Sequence, residues 1–231
     1  TSSSHAAPQG PSVKVDGPPP TGRSRILAAA LRLMAEEGID SASLRKINQQ
    51  SGLKNASGVQ YHFGNRAGLL EALIEQGMTR VDARRRELLD DLEAAAGVDP
   101  RDAVRALVKP LADELSSEEG CHYLLILQQL GTRPLLGALD EGSKQVHPGL
   151  RRCTRLLQPT LDTLPDDIRR ERAAHLARFM LRALGDQARQ RHVGRRPRLS
   201  DAIFTSNLVD ELVSLLRAPL SPETLALCHR G

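Results

Sequence analysis

Residues 43–66 read SLRKINQQSGLKNASGVQYHFGNR, and this stretch decides the fold. It reads as two short helices joined by a tight turn. Leu44 and Ile47 lie three apart and share one face of the first helix. Gly52 stands where that helix must stop, because glycine takes a left-handed cap at no steric cost. Leu53 plugs the turn. Asn55 is placed to cap the next helix with its side-chain oxygen. That second helix carries Ser57, Gln60 and Tyr61 on its outer side. Two helices set steeply about a glycine-containing turn form a helix-turn-helix, whose second helix can enter a DNA major groove.

Upstream, a helix starts at Thr21 or Ser24. Ile26, Leu27, Ala30, Leu31, Leu33 and Met34 give it a broad apolar face at helical spacing, and Gly38 ends it. Residues 1–20 are rich in Ser, Pro and Gly and close with Pro18, Pro19 and Pro20. They hold too little apolar surface to order themselves and are expected to be a disordered tail. Lys14, Arg23 and Arg25 could reach a minor groove as an arm, a solvated tail being the plainer reading. Charge is unevenly spread. From Thr21 to Arg66 seven basic residues (Arg23, Arg25, Arg32, Arg45, Lys46, Lys54, Arg66) face three acidic ones (Glu36, Glu37, Asp40), an excess of four. The whole chain carries +4, so the net positive charge sits in this small part, as expected of a phosphate-binding module.

The segment resembles the DNA-binding region of the TetR family of bacterial repressors. The matching positions are Ile26 to Gly38, Ser43, Ile47, Gly52, Leu53, Asn55, His62, Phe63, Asn65 and Arg66. The chain departs from the usual pattern in places. It is one residue longer between Gly52 and Phe63, the extra residue being Lys54. Asn55 takes the capping serine's place, Gln60 stands at the family tyrosine and Tyr61 follows it. Asn48 replaces the usual alanine. The resemblance implies an N-terminal three-helix DNA-binding domain and a helical C-terminal domain for ligand binding and dimerisation. It also implies phosphate contacts by Ser43, Tyr61 and His62, with Arg66 where the family has a phosphate-binding lysine. Lys54, Asn55, Ser57, Gln60 and Tyr61 supply hydrogen-bonding groups for base edges and nearby phosphates, with Arg45 beside them; glutamine can read adenine bidentately. Gly58 allows close approach either to DNA or to the neighbouring helix. Phe63, Leu44, Ile47, Leu53 and Val59 are read as core.

Downstream, Asn65 caps a fourth helix that runs to about Ala96, roughly 45 Å at 1.5 Å per residue. It connects two domains. Gly77 lowers its helix propensity and is expected to mark a bend; the run Arg84–Arg86 is read as a solvated face. Asp99 caps a helix beginning at Pro100. Residues 121–130, CHYLLILQQL, are apolar nearly all round and are expected to be buried. Leu135–Leu157 reads as helical, interrupted at His147-Pro148-Gly149, and Pro159 and Pro165 bracket a loop. Asp166–His192 is a long helix. A basic loop follows, and Ser200 caps the last helix, with Asp201 near its positive end. The final two helices are long and amphipathic and cannot hide all their apolar faces in one small bundle. Paired with a second copy they form a four-helix interface, as the resemblance also implies. A twofold dimer presents two recognition helices about 34 Å apart.

The fold class expected is therefore all-α: a tail (1–20), a helix-turn-helix DNA-binding domain (21–66) and a ligand-binding and dimerisation bundle (67–231). If the resemblance carries through, the bundle holds a pocket. Its candidate lining is His122, Tyr123, Ile126, Leu127, Gln128, Leu130, Arg133 and Phe179; His122 and Tyr123 read equally as satisfied core groups. Aromatics make up 2% of the chain, so an aliphatic pocket and a small hydrophobic effector are expected. Expected partners are a double-stranded operator with an inverted repeat, the effector and a second copy. Three separated cysteines suggest no disulfide framework, and no stretch is apolar enough for a membrane span. A cytoplasmic location follows. The seven histidines are scattered, without Cys-x-x-Cys or His-x-x-x-His spacing, and neither metal nor cofactor is expected. Cys121 and His122 are adjacent but point about 100° apart on a helix, so they make no nucleophile–base pair. An enzyme is the rival reading, and a helical interaction scaffold another; steep salt dependence separates DNA binding from the latter.

Overall fold

The computed structural model describes residues 21–53, 57–94, 99–133, 135 and 147–228. Helix α1 (Gly22–Glu37) begins where the Thr21 hydroxyl accepts the Ser24 N–H at 3.2 Å. It ends at Gly38, whose N–H donates to Met34 O. In α2 (Leu44–Gln50) Ser43 Oγ accepts the Lys46 N–H at 3.1 Å, and Gly52 takes the expected left-handed conformation (φ 66°) after it. Short α3 (Gly58–Phe63) is followed by α4 (Arg66–Ala94), capped by Asn65 Oδ1 at the Gly68 N–H. Asp99 caps α5 (Pro100–Asp113); a 3-10 turn (Glu114–Ser116) leads into α6 (Glu118–Leu130), which Ser117 caps. Helices α7 (Pro148–Leu161), α8 (Asp166–His192), α9 (Asp201–Arg217) and α10 (Pro222–Cys228) complete the chain. Among the described residues all regular structure is helical, and no helix is long and apolar enough to cross a membrane.

The all-α expectation holds. Helices α1 to α3 pack on one another and on the start of α4. In the remainder, α5 lies against α4, α7 and α9, while α6 is enclosed by α8 and α1. One apolar core runs without a break from Ile26 in α1 to Leu216 in α9. Helix α6 is buried from Cys121 to Leu127, as its sequence predicts.

Gly77 makes a close contact: a Cβ there would sit 2.2 Å from the Tyr123 ring, so only glycine lets α6 press that ring onto α4. Three local expectations change. Pro159 does not end α7; it costs one ladder bond in the last turn, and Asp162 N–H still closes that turn on Gln158 O at 2.8 Å. Helix α9 is not the last, since α10 follows it. Arg85 is not part of a solvated face. Arg84 and Arg86 are exposed, but Arg85 is 1% exposed.

Arg85 is buried because α4 turns that position into the core and supplies its counter-charge one turn earlier. Its Nη1 donates to Asp82 Oδ1 at 3.2 Å, and its Nε to Ala106 O in α5 at 3.1 Å. Asp82 in turn accepts the N–H groups of Gly149 (3.0 Å) and Leu150 (2.8 Å), in the first turn of α7. The carboxylate thus satisfies helix-end donors that would otherwise be orphaned, at the positive end of the helix. One ion pair joins α4, α5 and α7.

Removing one partner of such a pair leaves an uncompensated buried charge, which costs about 3–5 kcal/mol. Asp82→Ala is therefore expected to lower unfolding stability by that amount, read from urea unfolding at a fixed chain concentration. Arg84→Ala, one position from Arg85 but exposed, should leave the midpoint within error.

Candidate DNA-binding surface

Helix α3 has a buried side and an open side. Gly58 and Val59 are buried and Phe63 is half-buried, whereas Gln60, Tyr61 and His62 are exposed. Tyr61 is 84% exposed, an extreme value for so large a side chain. Its ring meets the edge of His62 at 4.9 Å between centroids. Beneath, the Arg23 guanidinium lies 5.2 Å from the Phe63 ring centroid, a cation–π contact that holds the start of α1 against the end of α3. Phe63 is thus part of the frame, as expected.

The expected cap of α3, Asn55, lies outside the described residues. The helix begins at Gly58, and Ser57 at its N-cap position makes no side-chain cap bond. Asn48 supplies it instead: its Oδ1 accepts the buried Val59 N–H at 3.1 Å. The residue standing in place of the family's alanine therefore reaches across from α2 and fixes the second helix to the first. Lys54 and Asn55, two of the candidate contact residues, lie outside the described residues.

The other candidates fall in two groups. Arg45, Ser57 and Gln60 line one groove of about 470 Å³ between α2 and α3, together with Gln49. Gln49 is not among the residues expected from the sequence; it lies one helical turn after Arg45 and so faces the same groove. Ser43 is exposed, but its hydroxyl already caps α2. Arg66 is half-buried and donates from Nη1 to Ile39 O at 2.5 Å, tying the loop after α1 to the start of α4. Gly58 is buried against Ile26, Asn48 and Leu53, so of its two readings helix packing is the one with a contact.

The candidate effector residues are not brought to one wall. Tyr123 lines a cleft of about 390 Å³ between α1, α4 and α6, with Leu27, Ala28, Leu31 and Leu73 as its apolar lining and Arg25, Arg80 and Glu119 beside them. Burial pushes the Tyr123 hydroxyl's pKa up, and that hydroxyl has no hydrogen-bond partner among the described residues. The Arg80 guanidinium lies 5.8 Å from the Tyr123 ring centroid and is held by Glu114 and Glu119; the Glu114 hydrogen bond raises its pKa. His122 opens on a neighbouring groove. Ile126 and Leu127 are core. Gln128 donates to Asp186 Oδ1 in α8 at 2.9 Å. Leu130 is half-buried, Arg133 is exposed, and Phe179 is 43% exposed on α8.

Residues 26–73 match the bacterial regulatory proteins of the tetR family. Over 92 residues the chain is 32% identical to the HTH-type transcriptional regulator BetI of Stenotrophomonas maltophilia (strain R551-3), covering 40% of this chain and 44% of that protein. The chain thus spans less than half the length of this curated relative. Among solved structures, the fatty acid degradation regulator FadR of Bacillus halodurans agrees with a TM-score of 0.51 at 16% identity, over 85% of this chain and 98% of that one. A TetR transcriptional regulator of Streptomyces coelicolor gives 0.48 at 19% identity, over 87% of this chain and 99% of that one. The first of these structures shows the shared fold, an N-terminal helix-turn-helix with a helical C-terminal domain.

Asn48→Ala removes the acceptor and leaves the Val59 N–H buried and unpaired, a cost of about 1–3 kcal/mol. The expected result is faster hydrogen exchange at the Val59 amide, measured by NMR. Amides in the middle of α8, remote from the turn, should keep their protection.

Proposed function

We propose that the chain, whose residues 26–73 match the tetR family of bacterial regulatory proteins, is a sequence-specific DNA-binding transcriptional regulator that acts as a homodimer. The observation that carries this reading is the open face of α3. A six-residue helix, clamped by Asn48 and Arg23, presents Gln60, Tyr61 and His62 to solvent. Nothing in the fold needs Tyr61 there. A duplex would use it: an aromatic ring with a hydroxyl packs against sugar and donates to phosphate, while Gln60 reaches base edges. Arg45 and Ser57 share the groove with Gln60 and extend the contact toward α2. The positive excess of residues 21–66 supplies the attraction to phosphate.

Dimerisation is assigned to α8 and α9. They pack on each other, yet Phe179 on α8 and Ile203 on α9 (57% exposed) remain uncovered. A second copy, related by a twofold axis, would cover both. The regulator is read as a repressor released by a small hydrophobic effector. The cleft between α1, α4 and α6 supports this, because a molecule entering it would bear on α1 and α4 together. Effector binding would act through its differential affinity for the DNA-competent and released arrangements.

Selection from a randomised duplex library at moderate salt is expected to enrich an inverted repeat with half-sites one helical turn apart. Tyr61→Ala should weaken binding to the enriched site by about 1–3 kcal/mol, the range of a good groove contact, with circular dichroism unchanged. No enrichment from a folded dimer, with or without added cell metabolites, would refute the DNA reading. The interface is tested separately: Phe179→Glu with Ile203→Glu should shift the mass in sedimentation from dimer to monomer while leaving helicity intact.

A further inference from the structure

Three helices from distant parts of the chain end or pass at one point. Glu36 lies in the last turn of α1, His122 sits in the second turn of α6, and His192 is the last residue of α8. One carboxylate oxygen and one ring nitrogen from each histidine all lie within 4.8 Å of one another. The rings of His122 and His192 are 5.3 Å apart, edge to face. His122 Nε2 is 4.0 Å from Glu36 Oε1, too far for a hydrogen bond. His122 is 4% exposed, and this nitrogen has no hydrogen-bond partner among the described residues.

A buried ring nitrogen without a partner is costly, and nothing in the packing of α6 requires a histidine there. What the point offers is a nitrogen, nitrogen and oxygen donor set with one lone pair already aimed inward. Access exists, because His122 lines a groove of about 460 Å³ that also carries Gln50, Arg32 and Glu118. Two cations, Arg25 and Arg32, line the same groove; Arg32 is engaged, pairing with Glu36 at 4.0 Å and donating to Gln50.

We propose that Glu36, His122 and His192 bind a divalent transition metal of the Zn²⁺ class and that the ion fastens the end of α1 to α6 and α8. Two imidazoles and a carboxylate suit Zn²⁺ and its neighbours over Mg²⁺ or Ca²⁺, which want oxygen alone. Ligand bonds of about 2.0–2.2 Å need the donors to close in, and the two exposed ligands, at helix ends, are the ones free to do so. The fourth position is left for water or a further ligand. The site ties α1, which packs on the helix-turn-helix, to α6 and α8, so metal occupancy would set how rigidly they are joined. This inference does not rest on DNA binding.

The test uses the full chain, freed of metal with a chelator and without an affinity tag. Zn²⁺ titration by calorimetry, and Co²⁺ titration by visible absorption, should each show one saturable site per chain. Mg²⁺ in excess should not compete. His192→Ala and Glu36→Gln change exposed side chains and should keep wild-type helicity and metal-free melting. Each should weaken Zn²⁺ at least about tenfold, the lower end of what loss of metal-site groups produces. Zn²⁺ should also slow amide exchange in the last turn of α1 in the parent chain but not in either variant. No saturable site, undiminished binding in both variants, or binding with unchanged exchange in α1 would overturn the assignment.

Discussion

Helix α6 has almost no face to give to water. From Cys121 to Leu127 every side chain is buried, so every side of the helix must be covered by something else. The cover comes from α8 on one side, from α4 through the Gly77–Tyr123 contact on another, and from α1 on the third. This last partner matters most. Because α1 also carries the helix-turn-helix, covering α6 fuses the N-terminal helices to the body. The joint is polar as well as apolar: Gln129 of α6 accepts the Ile39 N–H at 3.0 Å and donates to Met34 O at 3.2 Å. One α6 side chain thus gives the Met34 carbonyl a second donor beside the Gly38 N–H and pairs the backbone just after the helix.

A second constraint orders the other half of the molecule. α5 must bury its strongly amphipathic face, and it does so against α4, α7 and α9. The Asp82–Arg85 pair decides the register of that packing. An apolar surface tolerates sliding; a buried carboxylate that must meet two particular N–H groups of α7, and a guanidinium that must meet one carbonyl of α5, does not. The buried pair adds little net stability over an apolar substitute. Its physical role here is to make one arrangement of α4, α5 and α7 satisfiable.

What could be read from the chain, and what could not, follows from the range of each interaction. The α6 segment announces its burial because its apolar residues are contiguous. The helix ends at Thr21, Asn65, Asp99 and Ser200 were legible because a cap acts over two or three residues. Arg85 was not legible: a run of three arginines reads as a solvated face, and only the α4 phase together with a carbonyl from α5 reveals that the middle one turns inward. Asn48 was visible as a departure from the family pattern, but its role needs the distance to Val59 across the turn. The scattered histidines concealed the meeting of His122 with Glu36 and His192 for the same reason, since α1, α6 and α8 converge only through tertiary packing. Most of the candidate effector residues, His122 to Leu130, are neighbours in sequence on α6. A helix buried on all sides distributes such neighbours to different surfaces, and so Tyr123 and His122 open on different grooves.

The two functional readings meet at α1. Its first turns lie against α3 through Arg23 and Phe63, its middle forms one wall of the Tyr123 cleft, and its end approaches His122 and His192. A rigid helix of this length, 16 residues or about 24 Å at 1.5 Å per residue, cannot shift at one end alone while its buried side stays packed. A ligand that moves its wall, or an ion that pins its end, therefore acts on the placement of α3 as well. The coupling must run both ways: whatever holds α3 in one place biases the cleft and the His122 cluster toward the arrangement that goes with it, by the same free energy. The α1–α6 joint, bridged by Gln129, is consequently the contact through which such a displacement would pass.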